Sequence, residues 1–230
     1  MESLKTVPLE NDPFVELRFY YVAPGRMHDM VARAQNDLKK LFARHGVEPL
    51  AMWRVVSGPA VPAMVYLTPW TSMQQRSKSW AGFYADPDWA SARERTNAGT
   101  ELVERFEAIF LRSVIDWDAC DVLTPAPVGS DIIVEMVVQS VTVGRGAQVR
   151  ATLIEQTLPA LRAAGATVHG VFDVMTGRSL PSIVYFVSWP NSVAHYDARA
   201  DDDHQIVTPG SVLERADHYV MRAIPIEWQR

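Results

Sequence analysis

The sequence predicts an α+β protein made of two β-α-β-β-α-β units whose antiparallel sheets pack face to face. Three observations carry this. The first is an internal repeat, with Glu16 and Glu135 aligned at an offset of 119 residues. At that offset and with no gap, Val15, Val22, Gly25, Arg26, Gly46, Gly58, Pro62, Val65, Tyr66 and Trp70 meet identical residues: Val134, Val141, Gly144, Arg145, Gly165, Gly177, Pro181, Val184, Tyr185 and Trp189. A repeat of this length is a domain-sized unit rather than a solenoid module. The second is that period-two and helical apolar patterns alternate in the same order in both copies. The third is that the strands are apolar on both faces: Met64 and Tyr66 alternate with Val65 and Leu67. A unit's own helices cover one face of its sheet. Burying each large apolar side chain of the other is worth about 1.5–3 kcal/mol, so the second copy is expected to cover it.

Residues 1–13 are polar, carry two prolines and read as a surface tail. Phe14–Val22 is β-branched and aromatic, with Glu16, Arg18 and Tyr20 on one face and Leu17, Phe19 and Tyr21 on the other. Pro24-Gly25 ends it. From Arg26 to Arg44 the period becomes helical, with Met27, Met30, Val31, Ala34, Leu38, Leu41 and Phe42 in one stripe. His45-Gly46 closes this helix, Gly46 serving as a left-handed cap. Leu50–Ser57 and Ala63–Thr68 follow as strands joined by a hairpin-type turn. Thr71-Ser72 opens another helical region. Asp86-Pro87-Asp88-Trp89 starts a further helix over 88–105, since Asp caps free amides and Pro suits the first turn. Phe106–Ile115 is the last strand of the first unit.

Asp118–Asp131 has two prolines, a glycine and weak periodicity, and is the expected linker. The units are thus 1–117 and 132–230. In the second, Ile132–Val141 is a strand and Gly144–Ala164 a helix kinked by Pro159. His169–Thr176 and Ser182–Ser188 are strands, Ser192–Arg199 is helical, Asp201–His204 restarts a helix, and Ala216–Ile224 ends the unit. The offset falls to 115 at Asp86/Asp201 and to 110 at Arg105/Arg215. The second unit is therefore trimmed around its later helices, where loops tolerate deletion.

Composition narrows the function classes. At 48% hydrophobic and 21% charged, the chain is of ordinary globular composition. A net charge of −5 disfavours a nucleic-acid footprint, which needs clustered Lys and Arg. No apolar run approaches the ~20 residues of a membrane span. MESLKTVPLENDP lacks the apolar core of a signal peptide, so a cytoplasmic location is expected. The single cysteine, Cys120, precludes an internal disulfide or a multi-cysteine metal site. There is no Gly-rich phosphate loop, Ser-His-Asp order or HExxH. No cofactor and no metal are expected.

ELRFYYVAPGRM, the His-Gly after the first helix, VYLTPWTSM and ADPDW resemble the NIPSNAP family of the dimeric α/β-barrel superfamily. The second unit resembles it more loosely through VEMVVQSV, GRG and VYFVSWPNS, and has His204 at the position of the DP-x-W tryptophan. The resemblance implies two ferredoxin-like units forming an intramolecular dimeric α/β barrel, with room for a pocket between each sheet and its helices. It also implies a range of activities: cofactor-independent oxygenases, haem-degrading enzymes, isomerases and dehydratases. The leading reading is a protein that binds a small apolar or aromatic metabolite and acts as a cofactor-independent oxygenase or isomerase. A non-catalytic small-molecule or protein-interaction module is the alternative, and haem binding a third. The expected partner is a small apolar or aromatic ligand, without nucleic acid or membrane. Further homodimerisation stays open.

Candidate catalytic residues are His169, Asp173 and Tyr185. His169 and Asp173 share a strand face by period two and suit a base with its orienting carboxylate, or two ligands of a metal. About 13 Å of extended strand separates them, so a third group would have to bridge. Otherwise His169 is a strand-start residue near solvent. Tyr66 and Tyr185 recur and offer a hydroxyl to a substrate carbonyl, or simply pack in the core. Candidate ligand-binding residues are Glu16, Arg18, Arg54, Tyr66, Glu135, His218 and Arg222. The recurring Glu16/Glu135 and Arg112/Arg222 are expected to form ion pairs within each sheet, or polar anchors for a substrate. His169, His195 or His218 could serve a haem. The copies differ at Arg18/Val137, Leu50/His169 and Arg54/Asp173. Chemistry is expected in those differences, and so in one unit.

Overall fold

Eight antiparallel strands close into one barrel in the computed structural model, which describes residues 12–114, 130–177, 179–200 and 213–226. The strands are β1 (Phe14–Val22), β2 (Ala51–Ser57), β3 (Ala63–Trp70), β4 (Val103–Ser113), β5 (Ile133–Val141), β6 (Thr167–Val174), β7 (Ser182–Trp189) and β8 (Leu213–Ala223). Their order around the barrel is β1-β3-β2-β8-β5-β7-β6-β4. In place of two separate sheets, the strands form one closed sheet. β2 hydrogen-bonds to β8 and β4 to β6, so the edges of one half are satisfied by the edges of the other. The interior is apolar: Leu17, Phe19, Trp53, Val65 and Leu67 meet Met136, Phe172, Val184, Phe186 and Met221. Trp53 stacks on Phe186 across it with ring centroids 5.7 Å apart.

The helices lie outside the barrel. They are α1 (27–44), α2 (Met73–Ala85), α3 (Pro87–Asn97), α4 (146–163) and α5 (Ser192–Ala200). Two further apolar clusters sit under them, one beneath α1–α3 and one beneath α4 and α5. Both α1 and α4 contain a widened π-type turn, Ala34–Leu38 and Leu153–Thr157, 119 residues apart. Pro159 follows the second, but Lys40 holds the same place after the first. The proline is thus not the cause of the irregularity. The wider turn belongs to the shared scaffold and leaves room for a residue without an N–H.

Some expected boundaries move. α3 stops at Asn97 rather than 105, because Ala98 (φ 52°) and Gly99 (φ 90°) adopt left-handed conformations. Arg26 then caps its end, donating to the carbonyls of Asn97 and Thr96 at 2.8 Å each. β4 accordingly begins at Val103. At the other end Asp86 accepts from the Asp88 amide, from Arg44 and from His45. The His-Gly and DP-x-W motifs are therefore one joint, tying the end of α1 to the start of α3. The Asp86 carboxyl is held down at about 2, chiefly by the His45 hydrogen bond. Most of the expected linker, Cys120 and the helix restart at Asp201–His204 lie outside the described residues. Among those described, no helix is long and apolar enough to cross a membrane.

Candidate functional site

The repeated carboxylate Glu16 is fully buried on the helix-facing side of β1. It accepts from Arg18 Nε (2.8 Å), Arg76 Nη2 (2.7 Å) and Nε (2.9 Å), Trp70 Nε1 (2.9 Å) and Trp80 Nε1 (3.0 Å). β1 and β3 bring Glu16 and Trp70 together, and α2 supplies Arg76 and Trp80 one turn apart. Burial pushes the carboxyl up. The Arg76 hydrogen bonds and the Arg18 charge more than offset this and hold it below its ordinary value. With every lone pair used, Glu16 anchors the site rather than serving as a base.

Arg18 turns that anchor toward open space. Its guanidinium lies 3.6 Å over the Trp80 ring. Its Nη1 donates to two phenol oxygens, Tyr20 at 3.0 Å and Tyr84 at 3.1 Å. Tyr66, fully buried, also donates to Tyr20 at 3.0 Å. Tyr20 therefore accepts twice, and its own proton is left to donate into the cavity that it lines with Tyr84. Burial pulls Arg18 down, but the hydroxyls of Tyr66 and Tyr20 and the Glu16 carboxylate hold it well above its ordinary value. Burial likewise raises Tyr20 and Tyr66. The group is one fixed cation with the Tyr20 and Tyr84 hydroxyls at the cavity wall, a donor array for an oxygen carrying negative charge.

The cavity measures about 500 Å³ and lies between the β1–β4 edge and the helices α1, α2 and α3. Met30, Leu38, Phe42, Phe83, Trp89 and Phe106 make its apolar wall. Tyr84 and Phe106 are half exposed. Arg33 of α1 is 3% exposed and lines the same cavity. It donates to Thr96 Oγ1 and Asn97 Oδ1, both at 2.7 Å, and burial lowers it to about 10. Trp89 comes from the DP-x-W motif. Arg33, Tyr84 and Trp80 were not among the residues expected from sequence. Arg33 had a signal: it lies three residues after Met30 and next to Ala34, on the edge of the buried stripe.

The second half buries Glu135 at the matching position, with other partners. Arg199 Nη2 lies at 2.7 Å, His218 Nδ1 at 2.8 Å, Trp189 Nε1 at 3.3 Å and His195 Nε2 at 3.5 Å. Burial pushes Glu135 up, and the two histidines and Arg199 bring it well below its ordinary value. The positions of Arg18 and Tyr20 hold Val137 and Gln139. The Gln139 Oε1 and the Tyr185 hydroxyl are buried with no hydrogen-bond partner among the described residues. Burial raises Tyr185.

The remaining expected residues are dispersed. A bulge between Val168 and Gly170 breaks the period-two face of β6. His169 meets Ser188 Oγ at 2.7 Å, while Asp173 pairs with Arg150. The ion pairs expected between Glu16 and Arg112 and between Glu135 and Arg222 do not form. Register places Phe110 opposite Glu16 and Val220 opposite Glu135. Arg112 instead meets Asp12 at 2.7 Å on the surface, and Arg222 lies opposite Arg54 across the β2–β8 seam. Among the described residues no three His, Cys, Asp or Glu side chains converge on a metal-sized point. Among the described residues no histidine lines the cavity, so none of them offers a haem an axial ligand there.

Residues 15–114 match the sequence model of the NIPSNAP family. No curated protein matches the chain. Solved structures share its fold over nearly the whole length. An anthrone oxidase-like protein is 15% identical with a TM-score of 0.60, covering 94% of each chain. Candidate monooxygenases from Fusobacterium nucleatum and Lactobacillus acidophilus are each 8% identical, with TM-scores of 0.58 and 0.57. The first covers 94% of both chains, the second 93% of this chain and 94% of its own. At such identities the likeness is one of fold.

Proposed function

We propose that this chain, whose residues 15–114 match the NIPSNAP family, binds a flat aromatic molecule in the first-half cavity and oxygenates it without a cofactor. The carrying observation is the single Arg18 nitrogen that donates to both Tyr20 and Tyr84 at the wall of an aromatic cavity of about 500 Å³. An anthrone-type substrate places its oxygen on the two hydroxyls. Loss of a C–H proton to water at the open mouth leaves an enolate, whose oxygen the hydroxyls and Arg18 stabilise. Its carbanion centre adds dioxygen and, with a proton, gives a hydroperoxide. Loss of water from that hydroperoxide leaves a ketone. One oxygen atom ends in the product and the other in water.

Donors outnumber bases in this lining, which favours holding an oxyanion over returning a proton elsewhere on the substrate, as an isomerase must. The barrel is read as two fused ferredoxin-like units, 1–117 and 132–230, with the second serving as the surface that the first leans on. Oxygen uptake with an anthrone tests the reading. Tyr20→Phe and Tyr84→Phe should each lower the rate about tenfold, the size of one hydrogen bond. Saturable anthraquinone binding without oxygen uptake would leave a binding module. No binding at all would remove the site.

A further inference from the structure

Arg33 carries a question that the oxyanion reading leaves open. It is 3% exposed, yet its hydrogen-bond partners among the described residues are neutral: Thr96 Oγ1 on Nε and Asn97 Oδ1 on Nη2. It forms no ion pair with any described carboxylate, and Asp37 and Glu101 act on its charge only from a distance. The other cations around the cavity are already paired, Arg93 with Glu101 at 2.8 Å and Arg105 with Glu107 at 3.1 Å. A buried guanidinium is costly unless an anion and a full set of acceptors accompany it. Covalent geometry puts Nε and Nη2 on one edge of the guanidinium, so Thr96 and Asn97 occupy that edge. The Nη1–Nη2 end is left, a fork that matches a carboxylate in bidentate fashion. Arg33 lines the cavity on the α1 side, whereas Tyr20 belongs to β1. The matching position in the second half is Thr152, so the cation belongs to the first half alone.

Resting on the cavity reading above, we infer that the ligand is a flat aromatic carboxylate: its anion is held by the free end of Arg33 and its ring oxygen by Tyr20 and Tyr84. Arg33 is then the residue that selects acids over neutral molecules of the same shape. The cation–π distance from Arg33 to Trp89, 5.6 Å, places the aromatic wall beside this fork.

Calorimetric titration with anthraquinone-2-carboxylate and anthraquinone-2-carboxamide tests it. The wild-type chain should bind the carboxylate about tenfold or more tightly than the carboxamide. Arg33→Met should abolish that preference by weakening the carboxylate far more than the carboxamide, and Arg33→Lys should keep part of it. Tyr20→Phe should weaken both ligands by similar factors. Equal wild-type affinities, with carboxamide binding still dependent on Tyr20, would overturn the carboxylate assignment and leave the cavity reading standing. A preference that survives Arg33→Met but disappears in Arg105→Met would also overturn it, by moving the anion to the rim. Failure of both ligands to bind the wild type would overturn the inference and the cavity reading together. The wild-type comparison needs no variant to fold.

Discussion

Glu16 and Glu135 are buried at the same place in the two halves, and the cations that neutralise them come from different directions. In the first half they are Arg18, beside the carboxylate on β1, and Arg76 from α2. In the second, His195 stands in place of Arg76, and Arg199 in place of Trp80. His218 on β8 reaches in beside Val137, the residue in place of Arg18. A buried carboxylate needs charge around it in both cases. Only in the first half does an arginine lie on the carboxylate's own strand, where its Nη1 donates to Tyr20 and Tyr84. The shared part of the cluster is scaffold, and the unshared part opens onto the cavity.

The largest effect that would sharpen this contrast is loss of either carboxylate. Glu16→Ala should cost about 3–5 kcal/mol, because it strands the buried Arg18 and the partly buried Arg76, which cannot shed their charge. Glu135→Ala should cost less, because it strands one guanidinium, that of Arg199, rather than two. Chemical denaturation compares the two, and equal losses would break the contrast. Next, Arg18→Val imports the second half's residue. It should lower stability by about 2–4 kcal/mol and weaken anthraquinone binding at least about 100-fold. Binding that survived would detach the cavity from the cluster.

Acidification acts on both halves with the same sign. Glu16 and Glu135 are each held below their ordinary value of 4.5 in the folded chain. Their contribution is therefore complete above 4.5 and is lost as pH falls toward the depressed values. Denaturation at stepped pH should show stability falling below about 4.5, and Glu135→Gln should flatten that fall. Tyr20→Gln, again the second half's residue, should cost under about 1.5 kcal/mol of stability and about tenfold in binding. Smallest of all, Asp12→Asn should change stability by no more than about 0.5 kcal/mol, because its partner Arg112 is on the surface.

The strands and the helix starts were legible because they are written in periodicity and in capping residues. Glu16/Glu135 and Trp70/Trp189 were legible as separate recurrences, and the structure puts Glu16 against Trp70 and Glu135 against Trp189. Their other partners could not be read. Arg76 and Trp80 reach Glu16 only through the rotation of α2 against the sheet, which no strand period encodes. Recurrence alone suggested Arg112, and register overruled it by placing Phe110 opposite Glu16. The His169–Asp173 face failed for a related reason, since one extra residue in β6 turns His169 toward Ser188. The Arg18/Val137 difference was visible in the sequence. Its consequence needed Tyr84, which comes from a helix 66 residues away.

The most direct measurement is a calorimetric titration of anthraquinone into the wild-type chain and into a Tyr20→Phe/Tyr84→Phe double variant. One site per chain in the wild type, with affinity about 100-fold weaker in the double variant, is the predicted result. Two equal sites per chain, or an affinity that the double variant leaves unchanged, would contradict the assignment of the cavity to the Arg18–Tyr20–Tyr84 array.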